Sequence, residues 1–133
     1  MAMTLFVYGT LRPAFDGPMA RRLKAEAEHL GMARTAGTLI MVADYPGFVP
    51  GGAEDVVGDL FALRDAATLD WLDAYEECAA HDPLPHEYRR EAVQIVGKDG
   101  PAMAWTYVYA FPTDGLERVA GGDFLACARP GGG

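Results

Sequence analysis

Basic residues are scarce in this chain: 11 lysines and arginines stand against 19 aspartates and glutamates, a formal net charge of −8. Nucleic acid demands a basic face to neutralise its phosphates, so this balance argues against it as a partner. Cysteine is scarcer still. Cys78 and Cys127 form no CxxC pair, which speaks against a secreted disulfide scaffold and for two free thiols in a reducing compartment. Cys78, His81 and His86 fit no zinc spacing and are separated by prolines, so no metal is expected. Long hydrophobic runs are missing, and no segment is predicted to cross a bilayer. The start MAMTLFVYGTL has no basic region before its apolar run and no secretory spacing. The expectation is a cytoplasmic protein without membrane or nucleic-acid partners. Repeats are also absent, and Gly51-Gly52 lacks the strand-to-helix context of a nucleotide site.

What remains is an ordinary globular composition: 133 residues, 50% hydrophobic and 23% charged. That length suits one domain with a real core, expected over 1–127, with the tail ARPGGG (128–133) disordered. Residues 4–8 read as a first strand, apolar on both faces. DGPMARRLKAEAEHLG (16–31) reads as a helix, with Asp16 near its N-cap, Gly31 as its stop, and Met19, Leu23, Ala27 and Leu30 on one face. Strands are predicted at 32–43, with a bulge at Gly37, and at 56–63, separated by the turn-rich DYPGFVPGGAED. A second helix spans RDAATLDWLDAYEEC (64–78), followed by the loop AAHDPLPHE, expected to be mobile. Two strands, 88–96 and 103–111, are joined by a hairpin with Asp-Gly in its turn, and a last turn is placed near 116–120. Two helices among five or six strands exclude a doubly wound sheet. The fold class is α+β: a small, mostly antiparallel β-barrel flanked by helices.

Two features suggest chemistry. On the second helix, with Leu69 as zero, Leu72 falls near about 300°, Glu76 near about 340° and Glu77 near about 80°. Glu76 therefore lies between two leucines on the face that meets the core. A buried carboxylate is costly unless paired, hydrogen-bonded or neutral, and burial raises its pKa towards the range of a general acid–base. Periodicity alone leaves a second reading open, in which Glu76 reaches water from a frayed turn or pairs with an arginine. At the other end of the chain, Gly9 allows a tight turn after the first strand. Successive N–H groups after such a turn can hold an anion; a plain strand-to-loop turn with Thr10 bonding locally fits equally.

These residues carry a resemblance. YGTL follows the N-terminal strand, then come YPG (45–47), V-x-G-x-L at Val56, Gly58 and Leu60, LDAYE (72–76), Y-x-R-x-x-V at Tyr88, Arg90 and Val93, and AWTYVY (104–109). In this order and spacing the set resembles the gamma-glutamylcyclotransferase-like family, also called AIG2-like, over about residues 5 to 124. The resemblance implies a small barrel with a central cavity. It implies that the loop backbone at Gly9, Thr10 and Leu11 binds a substrate α-carboxylate, and that Glu76 is the acid–base. The implied reaction cyclises a γ-glutamyl amide or amine to 5-oxoproline and frees the amine, with no cofactor, metal or nucleotide. Tyr8, Tyr88 and Tyr107 are candidates for orienting hydroxyls or cavity walls, with core packing as the alternative. Arg12 is placed at the cavity rim. The partner implied is a small γ-glutamyl molecule, with a larger γ-glutamyl carrier as an alternative, and the chain as a monomer or homodimer. A non-catalytic binding or interaction module on the same fold is the main rival reading. Two departures stand out: Glu77 sits where the family often has glycine, and GGDF (121–124) where it often has Gly-Asp-Trp.

Overall fold

The computed structural model describes residues 3–79 and 81–127, the Cys127 side chain excepted; the tail 128–133 lies outside the described residues, as does the thiol of Cys127. Strand β1 (Met3–Val7) shows why the fold has two apolar layers. Leu5 and Val7 belong to one buried cluster with Leu23, Phe61, Leu69 and Leu72. Phe6 and Tyr8 belong to another with Leu39, Phe48, Val56, Ile95 and Phe124. Successive side chains on a strand face opposite ways, so β1 is apolar throughout because both its faces are covered.

The chain continues through a short 3-10 turn (Pro13–Phe15), helix α1 (Pro18–Glu26), strands β2 (Ala27–Met41) and β3 (Pro46–Leu63), helix α2 (Ala67–Tyr75), strands β4 (Tyr88–Gly97), β5 (Gly100–Tyr109) and β6 (Glu117–Arg118), and a last turn of helix, α3 (Phe124–Cys127). The six strands form one mixed sheet in the order β3-β1-β5-β4-β2-β6. Strand β2 also pairs with β3, so the pairings return on themselves, with β2 meeting β4 at Arg34↔Val96. Only β1 and β5 pair in parallel, at Leu5↔Trp105; the rest are antiparallel. The α+β class with few helices is therefore observed. Leu23 of α1 and Leu69 and Leu72 of α2 pack in the cluster of Leu5 and Val7, so both helices cover the same face of β1. Glu26, at the end of α1, ties the two helices by accepting from Thr68 Oγ1 (2.9 Å) and Trp71 Nε1 (2.8 Å).

Long-range pairing overrides local signals at two places. The first helix stops at Glu26, not Gly31, because Ala27, Glu28 and His29 pair with Leu63, Ala62 and Phe61. Gly31 is instead the far side of a bulge, at φ 110°. The N-cap is Gly17, next to Asp16 as expected, and Asp16 pairs with Arg21. The turn-rich 44–55 segment is mostly strand: β3 runs from Pro46 through Gly51-Gly52, paired with β2 on both sides of an unpaired stretch, 51–54. The register shifts between Ala36 and Gly37, where a bulge was expected, but the extra residues, 51–54, lie on β3. In the second hairpin the turn residues are Lys98-Asp99, while Gly100 pairs with Gly97. The second helix ends at Tyr75, and no helix or strand forms among the described residues of 76–87. Among the described residues no helix is long and apolar enough to cross a membrane.

Arg12 departs furthest from expectation. It is buried rather than placed at a rim, with Nε donating to Asp59 Oδ2 (2.7 Å) and an Nη donating to Asp123 Oδ1 (2.8 Å). A guanidinium out of water requires such carboxylates, and His29 Nε2 lies 2.9 Å from the other Asp59 oxygen. Breaking this pair strands a buried charge, so Arg12→Ala is expected to cost about 3 kcal/mol of unfolding free energy. Urea unfolding measures it. Arg21→Ala, which breaks the exposed pair with Asp16, is expected to leave the midpoint where it was.

Candidate active site

The turn after β1 is built by a close approach. A Cβ on Gly9 would stand 2.7 Å from Pro46 Cγ, so only glycine fits against the start of β3. The Arg12 N–H donates to the Gly9 carbonyl (3.0 Å), which closes the turn with Thr10 and Leu11 at its centre. Among the described residues, the N–H groups of Gly9, Thr10 and Leu11 donate to no other group of the chain. The Thr10 hydroxyl meets Tyr75 Oη at 3.2 Å. A run of unclaimed donors at a tight turn is suited to a carboxylate.

Helix α2 delivers the second component. Leu69 and Leu72 are buried and fix the helix rotation. Glu76 is its C-cap residue, its N–H donating to the Leu72 carbonyl (2.9 Å). Asp73, one turn earlier, locks this end in place. It accepts both arms of Arg90 from β4 (2.9 and 3.1 Å) and the Tyr107 hydroxyl from β5 (2.6 Å). Glu77 then takes a left-handed conformation, φ 58°, and ends the helix.

These parts enclose one cavity of about 400 Å³, large enough for a small molecule. Tyr8, Gly9, Thr10, Leu11, Glu76, Tyr88 and Tyr107, the residues singled out in the sequence, all line it. So do Asp44, Tyr45, Glu87 and Glu77, with Phe15 and Tyr75 as partly exposed rings. Asp44 and Glu87 carry no local signal. Asp44 comes from the bend between β2 and β3, and Glu87 from the residue before β4, so only the ladder brings them together.

Burial and the neighbouring carboxylates of Glu87 and Glu77 push the Glu76 carboxyl up to about 7. Part of the side chain opens to the cavity, yet the carboxyl is surrounded by protein, and no side chain among the described residues donates to it. The tyrosines are differently engaged. Tyr8 donates to the Tyr107 carbonyl (2.7 Å) and Tyr88 to the Pro46 carbonyl (2.7 Å). Burial, followed by the charge of Glu76, raises the pKa of both; burial and then the bond to Asp73 raise that of Tyr107. All three stay protonated with their hydrogens committed. Their oxygens remain as acceptors. Tyr45 donates to Glu87 (2.8 Å), and burial with that bond pushes it up to about 12. The arrangement can hold a carboxylate on N–H groups at one end and exchange a proton on a carboxyl at the other.

The sheet order and this cavity define an α+β domain whose end is a small-molecule pocket, and the comparisons with known proteins specify it further. Residues 5–126 match the model of the family described as gamma-glutamyl cyclotransferase, AIG2-like; the chain belongs to this family. It is 34% identical over 124 residues to the gamma-glutamylcyclotransferase family protein YtfP of Escherichia coli, covering 92% of this chain and 96% of that one. The solution structure of the Escherichia coli protein superposes with a TM-score of 0.67 at 33% identity, covering 92% of this chain and 96% of that chain. YkqA of Bacillus subtilis shares the fold, with a TM-score of 0.70 at 23% identity; the match covers 95% of this chain and 40% of that longer one.

Two stability predictions follow from the acids. Left-handed backbone strains any residue with a Cβ, so Glu77→Gly is expected to unfold about 1 kcal/mol less readily than Glu77→Gln, which removes the charge alone; urea titration compares them. The fold also holds the Glu76 proton to higher pH than the unfolded chain does. Its stabilising contribution is complete below the ordinary carboxylate value of 4.5 and is lost as pH rises through about 7. Glu76→Gln is therefore expected to melt a few degrees above the parent at pH 8 and level with it at pH 4, read by thermal denaturation.

Proposed function

We propose that the protein is a cyclotransferase that converts a γ-glutamyl amine to 5-oxoproline and releases the amine. The observation that carries this reading is the placing of Glu76, with its raised pKa, in the same cavity as the unclaimed N–H groups of the Gly9 turn. The substrate's α-carboxylate sits on those N–H groups, which fixes the reacting end. Its α-ammonium then faces Glu76, which takes a proton and frees the nitrogen lone pair. The raised pKa of Glu76 brings it closer to that of the ammonium, which lowers the cost of the transfer. The tyrosine oxygens, with their hydrogens committed elsewhere, accept from the amine and orient it.

The freed nitrogen attacks the γ-carbonyl carbon within the same molecule. A new C–N bond closes the five-membered lactam, and the original amide C–N bond breaks. The proton held by Glu76 passes to the departing nitrogen, and the second proton lost by the attacking nitrogen returns through the Glu76 carboxylate to the freed amine, which leaves as its ammonium. One carboxyl serves both steps because they occur in sequence, and neither water nor an oxidant is consumed. The cavity's share of the work is to fold the chain so that amine and carbonyl meet.

Glu76→Gln keeps the shape and removes the base, so 5-oxoproline release from γ-glutamyl amines is expected to fall by about 10²-fold or more. Full activity in that variant would overturn the assignment, and binding without turnover by the parent would favour a non-catalytic module. In the parent, kcat/KM is expected to rise with pH and level off above about 7 as Glu76 loses its proton. Glu77→Gln removes one of the neighbouring charges and is expected to move that rise to lower pH.

A further inference from the structure

A carboxylate in this cavity has to be held without a cation. Asp44, Glu76, Glu77 and Glu87 line the space, and no lysine, arginine or histidine does. An anion entering it meets like charge, so neutral donors have to carry its binding. The N–H groups of the Gly9 turn are three such donors, and hydroxyls are another kind. Six side-chain hydroxyls line the cavity, those of Tyr8, Thr10, Tyr45, Tyr75, Tyr88 and Tyr107. Four of them have their hydrogen committed: Tyr8 and Tyr88 to backbone carbonyls, Tyr45 to Glu87 and Tyr107 to Asp73. Thr10 and Tyr75 bond only to each other among the described residues, Oγ1 to Oη at 3.2 Å. That bond is long for two hydroxyls, and it uses only one of their two hydrogens. One hydroxyl hydrogen is therefore left over beside the turn.

The end of α2 places this donor where an amino-acid substrate needs it. Tyr75 is the last residue of the helix and Glu76 is its C-cap, so the two are consecutive, and both line the cavity. An α-carboxylate and an α-ammonium hang on one carbon, so the groups that hold them must also be neighbours. Resting on the cyclotransferase reading, we infer that Tyr75 is a substrate-binding residue: Thr10 donates to its Oη, and its own hydroxyl donates to the α-carboxylate held on the Gly9 turn. The substrate thus joins the turn to the end of α2, and its ammonium comes into register with Glu76. A hydrogen bond to a charged acceptor is about twice as strong as one to a neutral acceptor, so the phenol favours a carboxylate over a carboxamide of the same shape. The carboxylate takes no part in bond making, so the contact is equal in bound substrate and transition state. It lowers KM and leaves kcat alone.

Tyr75→Phe tests this, because it removes the hydroxyl alone from a side chain that is 42% exposed. Two substrates are compared at pH 8, γ-glutamylbutylamine and its α-carboxamide. In the parent the carboxylate is expected to have the higher kcat/KM. In Tyr75→Phe its KM is expected to rise about tenfold with kcat held within about twofold. The ratio of kcat/KM for carboxylate over carboxamide is expected to fall by about fivefold or more. An unchanged ratio, even with both rates lowered, overturns the inference and leaves the cyclotransferase reading standing. If the parent cyclises neither substrate, that reading fails. In that case, or if the carboxamide alone is inert, calorimetric binding of L-5-oxoproline and its carboxamide to parent and variant decides the inference separately. An affinity for the acid about tenfold weaker in Tyr75→Phe, with a smaller loss for the amide, supports it. Equal losses, or no binding of the acid by the parent, overturn it.

Discussion

The site depends on Arg12. Its guanidinium is buried against Asp59 on β3 and Asp123 just before α3, and its N–H closes the turn at Gly9. One residue thus fixes the loop after β1 to the adjacent strand and to the C-terminal segment. A buried ion pair adds little net stability over apolar packing, so its effect here is geometric. Without it the turn that carries the Gly9, Thr10 and Leu11 N–H groups would lose its tie to β3 and to the C-terminal segment. The Asp123 of GGDF belongs to this anchor. The departure from Gly-Asp-Trp affects only the next residue, and Phe124 fills that place as a fully buried ring.

A second clamp, Asp73 with Arg90 and Tyr107, does for α2 what Arg12 does for the turn. It joins the helix end to β4 and β5, and Glu76 follows three residues later. Both clamps keep charged groups satisfied, whereas the carboxyl between them is left without a donor. This contrast matters. At the two clamps the charges are paired; at Glu76 the carboxyl is unpaired and its pKa is raised. Stability at neutral pH is lowered at the second kind of position and secured by the first.

Much of the cavity lining was legible in the sequence, for reasons that can be named. Glu76 was found because helical periodicity needs only local geometry, and Leu69 and Leu72 set its direction. Gly9 was found because glycine after an apolar strand marks a constrained turn; the constraint, Pro46 pressing on its α-carbon, was not visible. The partners of Arg12 were not legible, since Asp59 and Asp123 lie far along the chain and only the β1–β3 pairing brings the first of them near. The same holds for Asp44 and Glu87. The fold class survived, but element boundaries failed where a ladder outweighed local preference. Residues 27–30 suit a helix and sit in a strand. Pro50-Gly51-Gly52 suit a turn and run within an 18-residue strand, which β2 pairs up to Pro50 and again from Asp55, with 51–54 unpaired between.

Glu77 ties these threads together. Glycine would adopt φ 58° without strain, and glycine is what the family often has there. Glutamate adds backbone strain and places a like charge beside Glu76, where it helps raise that carboxyl's pKa. Neither effect stabilises the fold, and no donor among the described residues pairs with the Glu77 side chain. A residue that is strained, repelled and unpaired contributes through what it meets in the cavity.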